Sequence, residues 1–65
     1  MANATHKLNI HRDGKKIFER EYETFGEMMD AAPAIYRAED AKGGFVVAQS
    51  QVMGPHGWSH LAILS

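Results

Sequence analysis

The residues in this chain best suited to chemistry stand close together. The stretch GPHGWSH, residues 54–60, holds two glycines, a proline, His56, His60 and the single tryptophan, Trp58. Histidines four apart share one face of a helix and can grip a metal together. Gly54, Pro55 and Gly57 oppose a helix here, so the spacing loses that meaning. A histidine-only zinc site needs three or four converging imidazoles. His6 and His11 are the other two histidines, and they could contribute only if the start of the chain lies beside its end. The chain has no cysteine, so thiolate ligands are excluded. The sequence therefore predicts no metal site and no cofactor. Ser50, Ser59 and His60 offer hydroxyls and a base, but a nucleophile also needs an orienting group and a defined turn. No such motif surrounds them, and the expectation is a protein that is not an enzyme.

Binding is the remaining chemistry. Tryptophan is enriched among the residues that anchor protein interfaces. Trp58, with His56, His60 and Met53 around the same loop, is the candidate partner-binding set. If the loop spans 53–57, Val52 pairs with Trp58 and Ser50 with His60, and Trp58 and His60 share a face. Trp58 then caps the small core and also offers an edge to a partner. A second candidate lies near the N-terminus. Lys7, Arg12, Lys15 and Lys16 fall on one stretch, and a basic β-ribbon can follow phosphates. The acidic middle of the chain opposes this, and no aromatic-interleaved RNA motif is present. Nucleic-acid binding through the basic 7–20 hairpin is thus the alternative to a protein partner.

These side chains need elements to hold them. In HKLNIHRDGKKIFEREYE, residues 6–23, Leu8 and Ile10 alternate with Lys7, Asn9 and His11, the period of a half-buried strand. Asp13-Gly14 is a hairpin turn signal, because glycine accepts positive φ. The returning strand carries Ile17, Phe18 and Tyr22. Pairing Ile10 with Ile17 or with Phe18 puts different faces inward, and the sequence leaves both open. TFGE, residues 24–27, matches a capping box. Phe25, Met28, Met29, Ala32, Ile35 and Tyr36 follow at helical spacing, and Gly43-Gly44 ends the helix. Pro33 removes a backbone bond in mid-helix, which predicts either one kinked helix or two short ones with the same face inward. GFVVAQSQVM and WSHLAILS read as two more strands around a GPHG loop. The expected fold is α+β: a ββαββ antiparallel sheet with one Pro-kinked helix on one face.

Size and charge narrow the function. Sixty-five residues make one domain, 1–65, with 1–5 expected to be flexible. So short a chain buries only about 60% of the surface its unfolded form exposes, which favours association. Net charge is −1, but its distribution is uneven. Cations dominate the first sixteen residues, acids dominate 17–41, and from Gly43 to Ser65 there is no Lys, Arg, Asp or Glu. Phe45–Ala48 and Leu61–Leu64 are apolar without alternation, and such strands need cover on both faces. One helix covers one face, so apolar surface remains for self-association or for a foreign partner. No apolar run reaches the roughly 18 residues of a membrane span, and MANATHK lacks a signal-peptide core. The expectation is a cytoplasmic protein with no membrane association.

The junction Tyr22-Glu23-Thr24-Phe25-Gly26-Glu27, continuing to Ala31-Ala32, resembles the corresponding strand-into-helix junction of a phage RNA polymerase inhibitor. In size and topology the chain is similar to small bacteriophage host-takeover proteins of that kind and of the anti-CRISPR kind. The resemblance covers no diagnostic motif and transfers no functional residue. It implies a phage or mobile-element protein, acting in the host cytoplasm, that binds and inhibits or modulates a larger host complex. A structural homodimer without another partner is the third reading.

Overall fold

The computed structural model describes residues 4–64: one antiparallel sheet of four strands with a single helix on it. In chain order the elements are β1 (His6–Arg12), β2 (Lys15–Tyr22), α1 (Phe25–Asp40), β3 (Val46–Gly54) and β4 (Gly57–Ile63). Their order across the sheet is β2-β1-β3-β4. The two hairpins therefore lie side by side, joined by β1 against β3, with His6 opposite Val52 and Arg12 opposite Val46. The α+β class and the antiparallel sheet agree with the sequence expectation.

Local chemistry accounts for the turns. Asp13 and Gly14 have φ of 52° and 83°, the two positive values that a tight two-residue hairpin requires. The register left open by the sequence puts Ile10 opposite Phe18, and it slips at the next pair, where His11 faces Lys16. Ile17 is the extra residue of a bulge and is left exposed.

Alternation then divides the sheet into two faces. Leu8, Ile10, Val46, Ala48 and Ser50 are buried on one of them. Met28 and Ala32 of α1 complete that core, with Phe18, Met29, Ile35, Tyr36 and Leu64 at its margin. Phe25 departs from the expected inward stripe. It is 47% exposed and meets His6 edge-on, with ring centroids 5.6 Å apart. The Thr24 hydroxyl accepts the Glu27 amide at 3.1 Å, but no return bond from the Glu27 carboxylate forms, so half of the capping box is realised. The helix is one run of 16 residues through Pro33, and the alternative of two short helices does not form. Pro33 is exposed.

The end of α1 is held by the first hairpin. Arg12 points to the helix side and donates from Nε to the Gly43 carbonyl at 2.9 Å. Its Nη2 donates to the Glu39 carbonyl and, at 3.2 Å, to the Glu39 carboxylate. Gly44 makes room for this: its φ is +88°, and a Cβ there would lie 3.0 Å from the Arg12 stem. Asp13 and Phe45 exchange two further bonds, from the Asp13 amide to the Phe45 carbonyl at 2.9 Å and from the Phe45 amide to Asp13 Oδ1 at 3.0 Å.

Two boundaries position the functional surface. The helix packs on β1, β2 and β3 but does not reach β4. At the start of the chain, the segment expected to be flexible lies partly outside the described residues. Thr5 itself is tied in, donating its amide to the Tyr22 carbonyl at 3.0 Å and accepting the Met53 amide at 2.8 Å. Among the described residues no helix is long and apolar enough to cross a membrane.

Candidate functional site

The second hairpin turns more tightly than the sequence suggests. Strand pairing continues to Gly54 opposite Gly57, leaving Pro55 and His56 as a two-residue turn. Gly57 has a φ of 108°, which a side chain would resist. The register is consequently Met53 opposite Trp58, Val52 opposite Ser59 and Gln51 opposite His60. This corrects the expected pairs, Val52 with Trp58 and Ser50 with His60, by one residue. A one-residue slip moves side chains to the other face. Trp58 and His60 do share a face, as expected, but that face also carries Met53 and Gln51 and lies opposite the helix. Trp58 is half-buried and is no part of the helix-side core. It therefore does not cap that core.

Continuing the register across the sheet fills in this open face. β1 supplies Lys7, Asn9 and His11, and β2 supplies Glu19 and Glu21. β3 supplies Val47, Gln49, Gln51 and Met53, and β4 supplies Trp58, His60 and Ile63. The half over β3 and β4 is mainly apolar and aromatic; Met53 is 45% and Ile63 60% exposed. The half over β1 and β2 is a polar network. The Lys7 ammonium lies 4.3 Å from the centre of the Trp58 ring and 3.2 Å from Glu19 Oε1. A cation over an indole face is attracted by the ring quadrupole. Lys7 thus joins the two halves, and its side chain is only 12% exposed. Glu19 also meets Lys16, at 2.7 Å. The hydrogen bonds from Lys16 and then from Lys7 hold its carboxyl below the ordinary range. Asn9 is buried at the centre, donating to Gln51 Oε1 at 2.7 Å. Asn9 Oδ1 and His11 Nδ1 are buried without a hydrogen-bond partner among the described residues.

The candidate partner-binding residues are thus partly assembled. Met53, Trp58 and His60 meet on one face, and His56 sits exposed in the adjoining turn. The basic set is dispersed instead. Lys7 and Lys16 converge on Glu19, while Arg12 turns to the helix end. Lys15 alone is exposed with no partner among the described residues. The histidines are separated too. His6 contacts Phe25 on the helix side, His11 and His60 belong to the open face, and His56 lies in the turn. No group of three or more His, Asp or Glu placed to hold a metal occurs among the described residues.

Sequence reasoning missed Asn9, Gln51 and Glu19. Alternation within β1 was enough to set Asn9 beside Lys7 and His11. What joins them to Gln51 and Trp58 is the pairing of β1 with β3, forty residues apart in the chain, for which no local signal exists. No family model, curated protein or solved structure matches the chain.

Proposed function

We propose that this chain is a non-enzymatic protein-interaction module that engages a larger protein assembly through the open face of its sheet. Trp58 is the anchor, Met53 and His60 flank it, and His56 extends the contact from the turn. The observation that carries this reading is one-sided cover. The helix packs on one face of the sheet, and the opposite face carries Trp58 and Met53 at the turn end of the second hairpin and Ile63 at its other end, beside polar side chains of β1 and β3. A tryptophan with an exposed methionine opposite it, next to hydrogen-bonding side chains, is a residue set of the kind that anchors protein interfaces. The basic residues give less support to the nucleic-acid alternative, because Lys7, Lys16 and Arg12 are already engaged by Glu19 and Glu39. On the resemblance to phage host-takeover proteins, the partner is a host complex in the cytoplasm and binding inhibits or modulates it.

The test pairs two measurements on Trp58→Ala and His56→Ala: the folding midpoint, and capture of a partner from host lysate by the immobilised chain. Loss of capture at an unchanged midpoint is expected. Capture that survives both substitutions, or that falls only in proportion to unfolding, removes the open face as the binding surface. A salt titration of binding to random DNA tests the alternative, since several phosphate contacts give a steep slope.

A further inference from the structure

The two edges of the sheet are built differently. The outer edge of β2 carries Lys15, Lys16, Glu19, Arg20 and Glu21, charges that guard an edge against pairing with another chain. β4, the other edge, carries no charged residue and no proline from Gly57 to Ile63. Leu61 and Ile63 on it are exposed. The helix stops short of it. Beside it, between α1 and β3, runs a groove of about 280 Å³ lined by Met29, Ala32, Tyr36, Ala48 and Leu64. Among the described residues, β4 therefore has an unpaired backbone edge and no helix over either face.

We propose that β4 pairs antiparallel with β4 of a second copy, joining two sheets into one of eight strands with both helices on the same side. The missing charge argues for a second copy. An edge without charge gives a foreign strand no charge to complement, and it raises no repulsion against itself. A two-fold contact needs a self-complementary surface. The small core argues the same way: seven apolar residues are buried in the described chain, and domains of this size are commonly stabilised by association.

The geometry restricts the register. A two-fold axis normal to the sheet returns each face to itself, so a residue must pair with one of its own face. Trp58 and His60 belong to the open face, and Ser59 and Ala62, opposite Val52 and Ser50, belong to the helix face. The axis must then pass through a residue position rather than between two. β4 slips register between its pairs with Ser50 and Gln51, leaving Leu61 as a bulge. A bulge disrupts regular pairing, which confines it to the stretch before Leu61. An axis at Ser59 satisfies both conditions. Each Trp58 then stands opposite His60 of the partner subunit, and Ser59 meets its own copy. This contact is made along the strand edge and adjoins the open face at Trp58 and His60, so its test is placed at Ser59, on the helix face.

The chain has no cysteine, which makes the test direct. Facing residues of an antiparallel pair have Cα atoms about 4.5–5.5 Å apart, within the range of a disulfide. Ser59→Cys is exposed and should oxidise at micromolar concentration to a covalent dimer with the wild-type circular dichroism spectrum. Lys15→Cys, on the guarded edge, should remain uncrosslinked under the same conditions. Sedimentation velocity of the unmodified chain should show a dimer that dissociates on dilution. A monomer across the concentration series overturns the proposal. So does a dimer in which Ser59→Cys crosslinks no faster than Lys15→Cys. Crosslinking at Ser59 is read without any partner, and capture by His56→Ala is read away from the strand edge, so the failure of one proposal is distinguishable from the failure of the other.

Discussion

Arg12 is the clearest case of a charge that the fold has put to another use. Replacing it with methionine keeps most of the aliphatic stem beside Gly44 and removes the guanidinium. The Glu39 carbonyl in the last turn of the helix and the Gly43 carbonyl just beyond it then lose their donor. Hydrogen bonds to a charged group contribute about 1.5–3 kcal/mol each when shielded. The Arg12 side chain is 25% exposed, and water can replace part of each bond, so about 1 kcal/mol per carbonyl is the appropriate scale. The expected cost of Arg12→Met is therefore about 2 kcal/mol. A core of this size supplies only about 3–5 kcal/mol, so the loss is a large share of the total. With a urea slope of about 1 kcal/mol per molar for so small a chain, the midpoint should fall by about 2 M. Equilibrium unfolding followed by far-ultraviolet circular dichroism at neutral pH measures it. A shift below about 0.5 M, by the same slope, would refute the view that Arg12 holds the helix end in place. It would return Arg12 to the pool of cations available to an external phosphate.

Two further outcomes follow from local geometry. Thr24→Ala removes the acceptor for the Glu27 amide and should cost about 1 kcal/mol; an unchanged urea midpoint would mean that the cap contributes nothing. Glu19 is held ionised below the ordinary carboxylate range, first by the hydrogen bond from Lys16 and then by that from Lys7. A carboxyl with a depressed folded-state pKa lends stability above its unfolded pKa and loses it as pH falls through the folded value. Wild type should therefore exceed Glu19→Gln in stability at pH 7, with the gap closing in acid below the usual carboxylate range; a gap independent of pH would refute it.

The sequence determined what short-range chemistry can encode. Asp13-Gly14 had to turn, because few other pairs accept two positive φ values. Thr24 had to start the helix, because its hydroxyl sits three residues before an otherwise orphaned amide. The alternation of Leu8 and Ile10, and the stripe from Met28 to Ala32, marked the two sides of the core from the period of each element alone. The long run without charge at the C-terminal end was also legible. The tertiary structure decided everything that depends on which strands meet. Placing β1 against β3 brings Lys7 over Trp58 and Asn9 to Gln51, contacts between residues more than forty positions apart. A two-residue turn at Pro55-His56 moved Trp58 from an expected cap on the core to the open face, because a slip of one residue exchanges the faces of a strand. The bulge at Ile17 settled a register that the sequence left open. Most of the basic hairpin proved to be spoken for, since Glu19 and Glu39 reach Lys7, Lys16 and Arg12 only once the chain has folded. Sequence patterns record which way a side chain points along its own element, whereas partners across elements depend on strand order and register, which no local pattern carries.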